Sequence, residues 1–189
     1  MSGPDVAREY QQMIETRRRG TDEAFAQDPA SPIPHNEQAG FKGLIYFPAN
    51  AAFRIEATLT PFAQPEVVLL GSTKGDMRER LRFGELHFAL QGAECRLTAF
   101  KDAGDPDGAE LFVPFRDATT SRETYGAGRY VEAEDTGGGM LPRTVVLDFN
   151  LAYNPWCAYN PDYSCILPPR ENVLPVAVEA GERTFGDGH

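Results

Sequence analysis

The sequence predicts a mainly β protein: an antiparallel meander forming a barrel or a sandwich, with an N-terminal helix. Three observations predict it. From residue 41 onward the chain is a succession of short apolar runs with period-two alternation. Eighteen Gly and fifteen Pro punctuate those runs with turns. No strand–helix–strand alternation occurs, so a parallel sheet with crossover helices is excluded.

The helix is expected over residues 4–27. Val6, Tyr10, Met13, Ile14 and Arg17 recur three or four apart, as one face of a helix requires. Pro4 near the start and Asp5 in the first turn suit a helix N-terminus, and Gly20 is a candidate stop. Arg17, Arg18 and Arg19 read as a solvated helix end, where exposed charges contribute little. Residues 28–40 form a Pro-rich connector, and residues 41–189 a single β domain.

Within that domain strands are expected at 44–47, 53–59, 67–71, 77–83, 86–90, 95–100, 111–115, 128–133, 144–149 and 173–178. The 53–59 run places Phe53, Ile55, Ala57 and Leu59 on one face. Ser72–Thr73–Lys74–Gly75–Asp76 supplies a hairpin turn with a glycine free to take positive φ. His87 alternates with apolar neighbours and reads as structural.

With a net charge of −10, the chain lacks the basic face that a nucleic-acid binder uses to release counterions. Fifteen arginines against three lysines fit either a high-salt milieu or a GC-rich genome. No apolar run is long enough to span a bilayer, and the N-terminus lacks a secretion-signal pattern, so a cytoplasmic location without membrane partners is expected.

The chemistry-bearing residues concentrate between 112 and 169. Three motifs carry a family resemblance: S-P-I-P followed by F-K-G-L-I-Y-F-P (31–34, 41–48), F-V-P-F-R-D-A-T-T-S-R-E-T-Y-G-A-G-R-Y (112–130), and L-D-F-N-L-A-Y-N-P-W-C-A-Y-N-P-D-Y-S-C-I-L-P-P-R-E-N (147–172). On these the chain resembles the prokaryotic family of domain of unknown function 1684. That resemblance implies no activity and assigns no catalytic residue.

The residues themselves suggest one site. Arg116, Arg122 and Arg129, with Asp117, Thr119, Ser121 and Tyr125, gather forked cations and short polar groups in an otherwise acidic chain. Together with Asn150, Asn154 and Tyr159 they make a candidate ligand site for a small anionic molecule. The competing reading is a polar loop whose arginines satisfy buried backbone groups. Tyr153, Trp156, Tyr159 and Tyr163 can wall a pocket or plug one end of a barrel. Cys157 and Cys165 admit free thiols, a disulfide or a metal site, although no histidine stands at zinc-ligand spacing. The sequence therefore leaves three readings open. The first is a small-molecule-binding β domain, with or without enzymatic activity. The second is an interaction module or homodimer using the helical arm and the 150–170 loop. The third is a thiol redox or metal protein. No cofactor is implied.

Overall fold

The computed structural model describes residues 3–186. It contains helix α1 (Gly3–Gln27), the single-turn helix α2 (His35–Gln38), and six strands: β1 (Arg54–Gly71), β2 (Met77–Leu90), β3 (Ala93–Lys101), β4 (Glu110–Phe115), β5 (Arg129–Glu134) and β6 (Arg143–Asp148). All pair antiparallel, in the order β5-β4-β3-β2-β1-β6, and the sheet curls into a half-barrel.

Four of the expected strands prove to be two long ones. Residues 53–59 and 67–71 belong to the 18-residue β1, and 77–83 and 86–90 to the 14-residue β2. What separates each pair is a kink, not a turn. The β1–β2 register shifts between Pro61 and Glu66, and the β2–β3 register shifts between Arg82 and Gly84. Gly84 permits this because a Cβ there would stand 2.7 Å from the Thr60 carbonyl oxygen. The kink bends the sheet and exchanges its buried face. On one side of it Ala57, Leu59, Leu86, Phe88 and Leu90 point into the main core, with Leu97, Val113, Val131 and Leu147. On the other, Leu70 and Phe100 join Tyr130 and Ile166 in a second, smaller core on the opposite face.

The expected strands at 44–47 and 173–178 are single bridges instead: Tyr46 with Glu182, and Arg116 with Val173. Side chains replace ladder pairing there. Asn172 accepts from the Thr98 N–H (2.8 Å) and donates to the Thr98 and Pro114 carbonyls (2.9 and 2.8 Å). Asp117, itself hydrogen-bonded by Thr119, accepts from the Val178 N–H at 2.6 Å. Arg129, 1% exposed, donates to the carbonyls of Val178, Ala180 and Glu182 at 2.8, 2.5 and 3.0 Å. The segment 172–182 thus closes the open side of the half-barrel through side-chain pins. Where β5 and β6 approach, buried Asp135 is bound by Arg143 and by Lys101 at 3.6 Å.

Helix α1 runs through Gly20 without stopping, and its inward stripe is Tyr10, Ile14, Arg18 and Phe25. Val6 and Met13, expected on that stripe, are exposed. The Tyr10 hydroxyl donates to the Asp148 carboxylate at 2.7 Å. Arg18 is no solvated helix end. It donates to the Phe47 carbonyl at 2.9 Å and lies 4.5 Å from the Tyr46 ring centroid. No helix among the described residues is long and apolar enough to cross a membrane.

Removing the Arg129 guanidinium strips three carbonyls of a donor and leaves Asp117, ion-paired with it at 3.7 Å, buried without a counter-charge. Arg129→Leu is therefore expected to cost about 3–5 kcal/mol of folding stability in a denaturant titration. Exposed Arg122→Ala should stay within about 0.5 kcal/mol.

Candidate functional site

The second core exists because the loop after the last strand folds back over the outer face of the sheet. A turn of 3-10 helix at Phe149–Leu151 redirects the chain, and a second at Trp156–Ala158 follows Pro155. The returning limb then docks on the β1–β2 hairpin turn. Thr73 N–H donates to the Cys165 carbonyl (2.9 Å), and Cys165 N–H to the Thr73 hydroxyl (3.1 Å). Leu167 N–H reaches the Gly71 carbonyl (2.8 Å), and the Tyr130 hydroxyl donates to the Ile166 carbonyl (2.6 Å).

Between this loop and strands β2–β5 lies an open cleft of about 740 Å³. Its wall is aromatic: Phe112, Tyr130, Tyr153, Trp156 and Tyr163. Phe112 and Tyr130 meet edge to face at 4.8 Å, Tyr130 and Tyr153 at 5.8 Å, and Trp156 and Tyr163 at 5.1 Å. The charged lining is Asp102, Asp105, Glu110 and Glu132 against Arg78 and Arg80. Both arginines have carboxylate partners, Asp76 at 2.7 Å and Asp102 at 3.5 Å. Crowding by Glu132 is the main reason the Glu110 carboxyl is held above its ordinary range.

Cys165 lines the same cleft, and Cys157 stands behind it. Both are free thiols in half-buried residues, and the Cys157 N–H donates to the Cys165 sulfur at 3.2 Å. The Tyr125 hydroxyl sits 3.7 Å from the Cys157 sulfur. The Cys165 thiol donating to Cys157 outweighs burial and, with the Tyr125 and Thr73 hydroxyls, lowers the Cys157 thiol to about 6. Cys165 is raised well above the ordinary thiol range, first because Cys157 holds its proton and then by burial. Among the described residues no cluster of three or more His, Cys, Asp or Glu could hold a metal ion.

A second cavity of about 190 Å³ lies beneath α1, sharing Tyr153 and Trp156 with the cleft. Arg18, Tyr46, Asn150, Asn154, Tyr159 and Glu182 line it. Glu182, 3% exposed, accepts from the Asn154 N–H at 2.8 Å and from the Tyr159 hydroxyl. Burial dominates these bonds and raises its carboxyl to about 7. The Asn154 side-chain oxygen, and Nε and Nη2 of Arg18, are buried there without a hydrogen-bond partner among the described residues.

The residues expected to form one site divide between different tasks. Arg116, Arg122 and Arg129 line neither cavity. Arg129 is spent on the tail; Arg116 docks Asn172 and Leu174 through its backbone (2.9 and 2.8 Å); Arg122 and Ser121 are exposed on a turn. Asp117 and Thr119 serve the tail pin. Tyr125 reaches the thiol pair, whereas Asn150, Asn154 and Tyr159 reach the chamber beneath α1. The polar-loop reading therefore describes Asp117, Thr119 and Arg129, because a buried tail with little ladder pairing needs side-chain donors and acceptors.

The family described as Protein of unknown function (DUF1684) matches residues 39–183. The chain belongs to this family. A solution NMR structure of an uncharacterised protein from Haloarcula marismortui is 39% identical, covers 97% of this chain and 98% of its own, and superposes with a TM-score of 0.74. No curated protein matches. Neither similarity names a ligand or a reaction, so the site rests on its own geometry.

Among the lining residues, sequence reasoning passed over Glu182, Arg18, Glu132 and Phe112. Arg18 follows Ile14 by four positions and so shares its helix face, a signal that the triple-arginine run obscured. Nothing local marks Glu182. It reaches the chamber because Gly181, at φ +74, passes so close that a Cβ would stand 2.5 Å from the Ala152 carbonyl oxygen.

Glu182 makes stability depend on pH in a definite direction. Its folded-state value near 7 lies above the ordinary 4.5, so its contribution is fully present below pH 4.5 and is lost as pH rises through 7. Relative to Glu182→Gln, the wild type should lose roughly 3 kcal/mol across that interval. Denaturation midpoints of the two proteins at matched pH check this, and parallel profiles would refute it.

Proposed function

We propose that the protein binds a small, flat organic molecule that is neutral or cationic, in the cleft between strands β2–β5 and the 153–166 loop. The carrying observation is an aromatic wall of five side chains opposed by four carboxylates: the two arginines of the lining are paired, Arg78 with Asp76 and Arg80 with Asp102, which leaves Asp105, Glu110 and Glu132 without an ion-pair partner among the described residues. Aromatic faces present negative potential to a cation and stacking area to any planar group. Glu110 and Glu132 crowd each other on adjacent strands, so a cation between them would relieve their repulsion. The cleft volume of about 740 Å³ falls in the range usual for small-molecule sites.

This keeps the small-molecule reading of the sequence and reverses the sign of the ligand charge. The three arginines that suggested an anion lie outside the cleft, and its charged lining is mostly acidic. The interaction-module reading loses support for a different reason. The 153–166 loop buries Ile166 against Leu70, Phe100 and Tyr130, and its exposed Trp156 stands in the cleft wall.

Trp156 is the chain's single tryptophan, and it stands 45% exposed in the cleft wall. Its fluorescence reports occupancy directly. Benzyltrimethylammonium should change the emission saturably, benzoate should not, and Glu132→Gln should weaken the ammonium about three- to five-fold. Benzoate binding as tightly as the ammonium, or no saturable change with the ammonium, would overturn the reading.

A further inference from the structure

Cys165 is more than a wall of the cleft. Cys157 and Cys165 are brought together by two independent constraints. The 3-10 turn at Trp156–Ala158 aims the Cys157 N–H at the Cys165 sulfur, 3.2 Å away. The hairpin turn fixes Cys165 from the other side, through both its N–H and its carbonyl on Thr73. Tyr125, from the turn before β5, sets a hydroxyl 3.7 Å from the Cys157 sulfur. Three segments far apart in sequence therefore converge on the sulfurs of two half-buried residues. Structural cysteines look different: Cys95 is buried in the main core with its thiol pushed up by burial.

We propose that Cys157 and Cys165 form a peroxide-reactive dithiol, in which Cys157 attacks and Cys165 resolves. The Cys157 thiolate displaces an alkoxide or hydroxide from the O–O bond of a hydroperoxide ROOH and becomes a sulfenic acid. The departing RO⁻ takes the Cys165 proton and leaves as ROH. The Cys165 thiolate then attacks the Cys157 sulfur, forming the S–S bond and expelling hydroxide, which solvent protonates to water. Two electrons pass from the two sulfurs to the O–O bond, and atoms balance with the disulfide, ROH and water as products. The donors around Cys157 suit this division of labour. They stabilise its thiolate, whereas the proton stays on Cys165 until an acceptor forms beside it.

This inference is independent of what the cleft binds, because its readout needs no other ligand. The full chain, fully reduced, is treated with hydrogen peroxide at one equivalent, and the thiols are mapped by peptide mass spectrometry. The expected product is a Cys157–Cys165 disulfide, reversed by dithiothreitol, with Cys95 still reduced. At pH 7 the pair should react at least about ten-fold faster than Cys95 in the folded protein. Cys165→Ser should trap a dimedone-reactive sulfenic acid on Cys157 and shift the pH midpoint of its alkylation upward from about 6. Cys157→Ser should leave Cys165 unreactive. Retained Trp156 emission identifies the folded variants, and Tyr125→Phe, which keeps the ring, serves as a milder variant in which the alkylation midpoint also rises. Oxidation of Cys95 at a matching rate, oxidation of Cys157 to a sulfinate without a disulfide, or no reaction would each overturn the proposal.

Discussion

A guanidinium that is 1% exposed needs acceptors in place of water, and Arg129 finds them for Nη1 and Nη2 in the carbonyls of Val178, Ala180 and Glu182, while its Nε is buried without a hydrogen-bond partner among the described residues. Asp117 supplies the counter-charge and also caps the same segment through the Val178 N–H. Much of the architecture depends on this contact. The sheet is a half-barrel whose open side would expose the main core, and the covering segment meets the rest through isolated β-bridges and scattered backbone hydrogen bonds, with no continuous ladder. The planar fork of arginine, which aims several N–H groups from one rigid group, does what a seventh strand would otherwise do. The desolvation that lowers the Arg129 pKa to about 10 leaves it charged at neutral pH, so the fastening holds there.

The second organising constraint is steric. At Gly84 the backbone of β1 crosses too near for any side chain, and the registers on both sides of β2 slip there. The slip turns one sheet into two faces with two cores. The larger is sealed by residues 174–180; the smaller is roofed by the loop that carries Tyr153, Ile166 and the two cysteines. The cleft is the unfilled edge of that smaller core. It is aromatic because it continues a packed aromatic cluster, and it is open because the loop bears on the hairpin turn and on Tyr130 and leaves the space over β4 and β5 uncovered.

Much of the fold could be read in the residues. The alternation at Phe53, Ile55, Ala57 and Leu59, and again at Leu86, Phe88 and Leu90, gave the inward face of β1 and β2 correctly. What the alternation could not reveal was that the interruptions near Pro61 and Gly84 are kinks within strands, because a glycine needed for close approach looks the same in sequence as one needed for a turn. The site was harder to see. Clustered arginines in an acidic chain suggest an anion site by their charge, yet Arg129 and Arg116 act through the geometry of a tail far along the chain. The aromatic loop was visible as a group, and Tyr153, Trp156 and Tyr163 do share a wall. Its partners Phe112, Glu110 and Glu132 lie on strands whose outer faces look merely solvent-exposed until the loop is placed against them.

The covering segment also has an order in time. Synthesis runs from the first residue onward, so all six strands leave the ribosome before residues 172–182 do. During that interval Arg129 and Asp117 lack the backbone groups that they later bind, and Phe149, Leu147 and Val131 face an uncovered side. A sheet formed before that segment arrives would have an exposed apolar trough, the kind of surface that chaperones hold and that other chains stick to. The eleven residues 172–182, with little regular structure, cover that trough and bring Glu182 to the chamber beneath the helix.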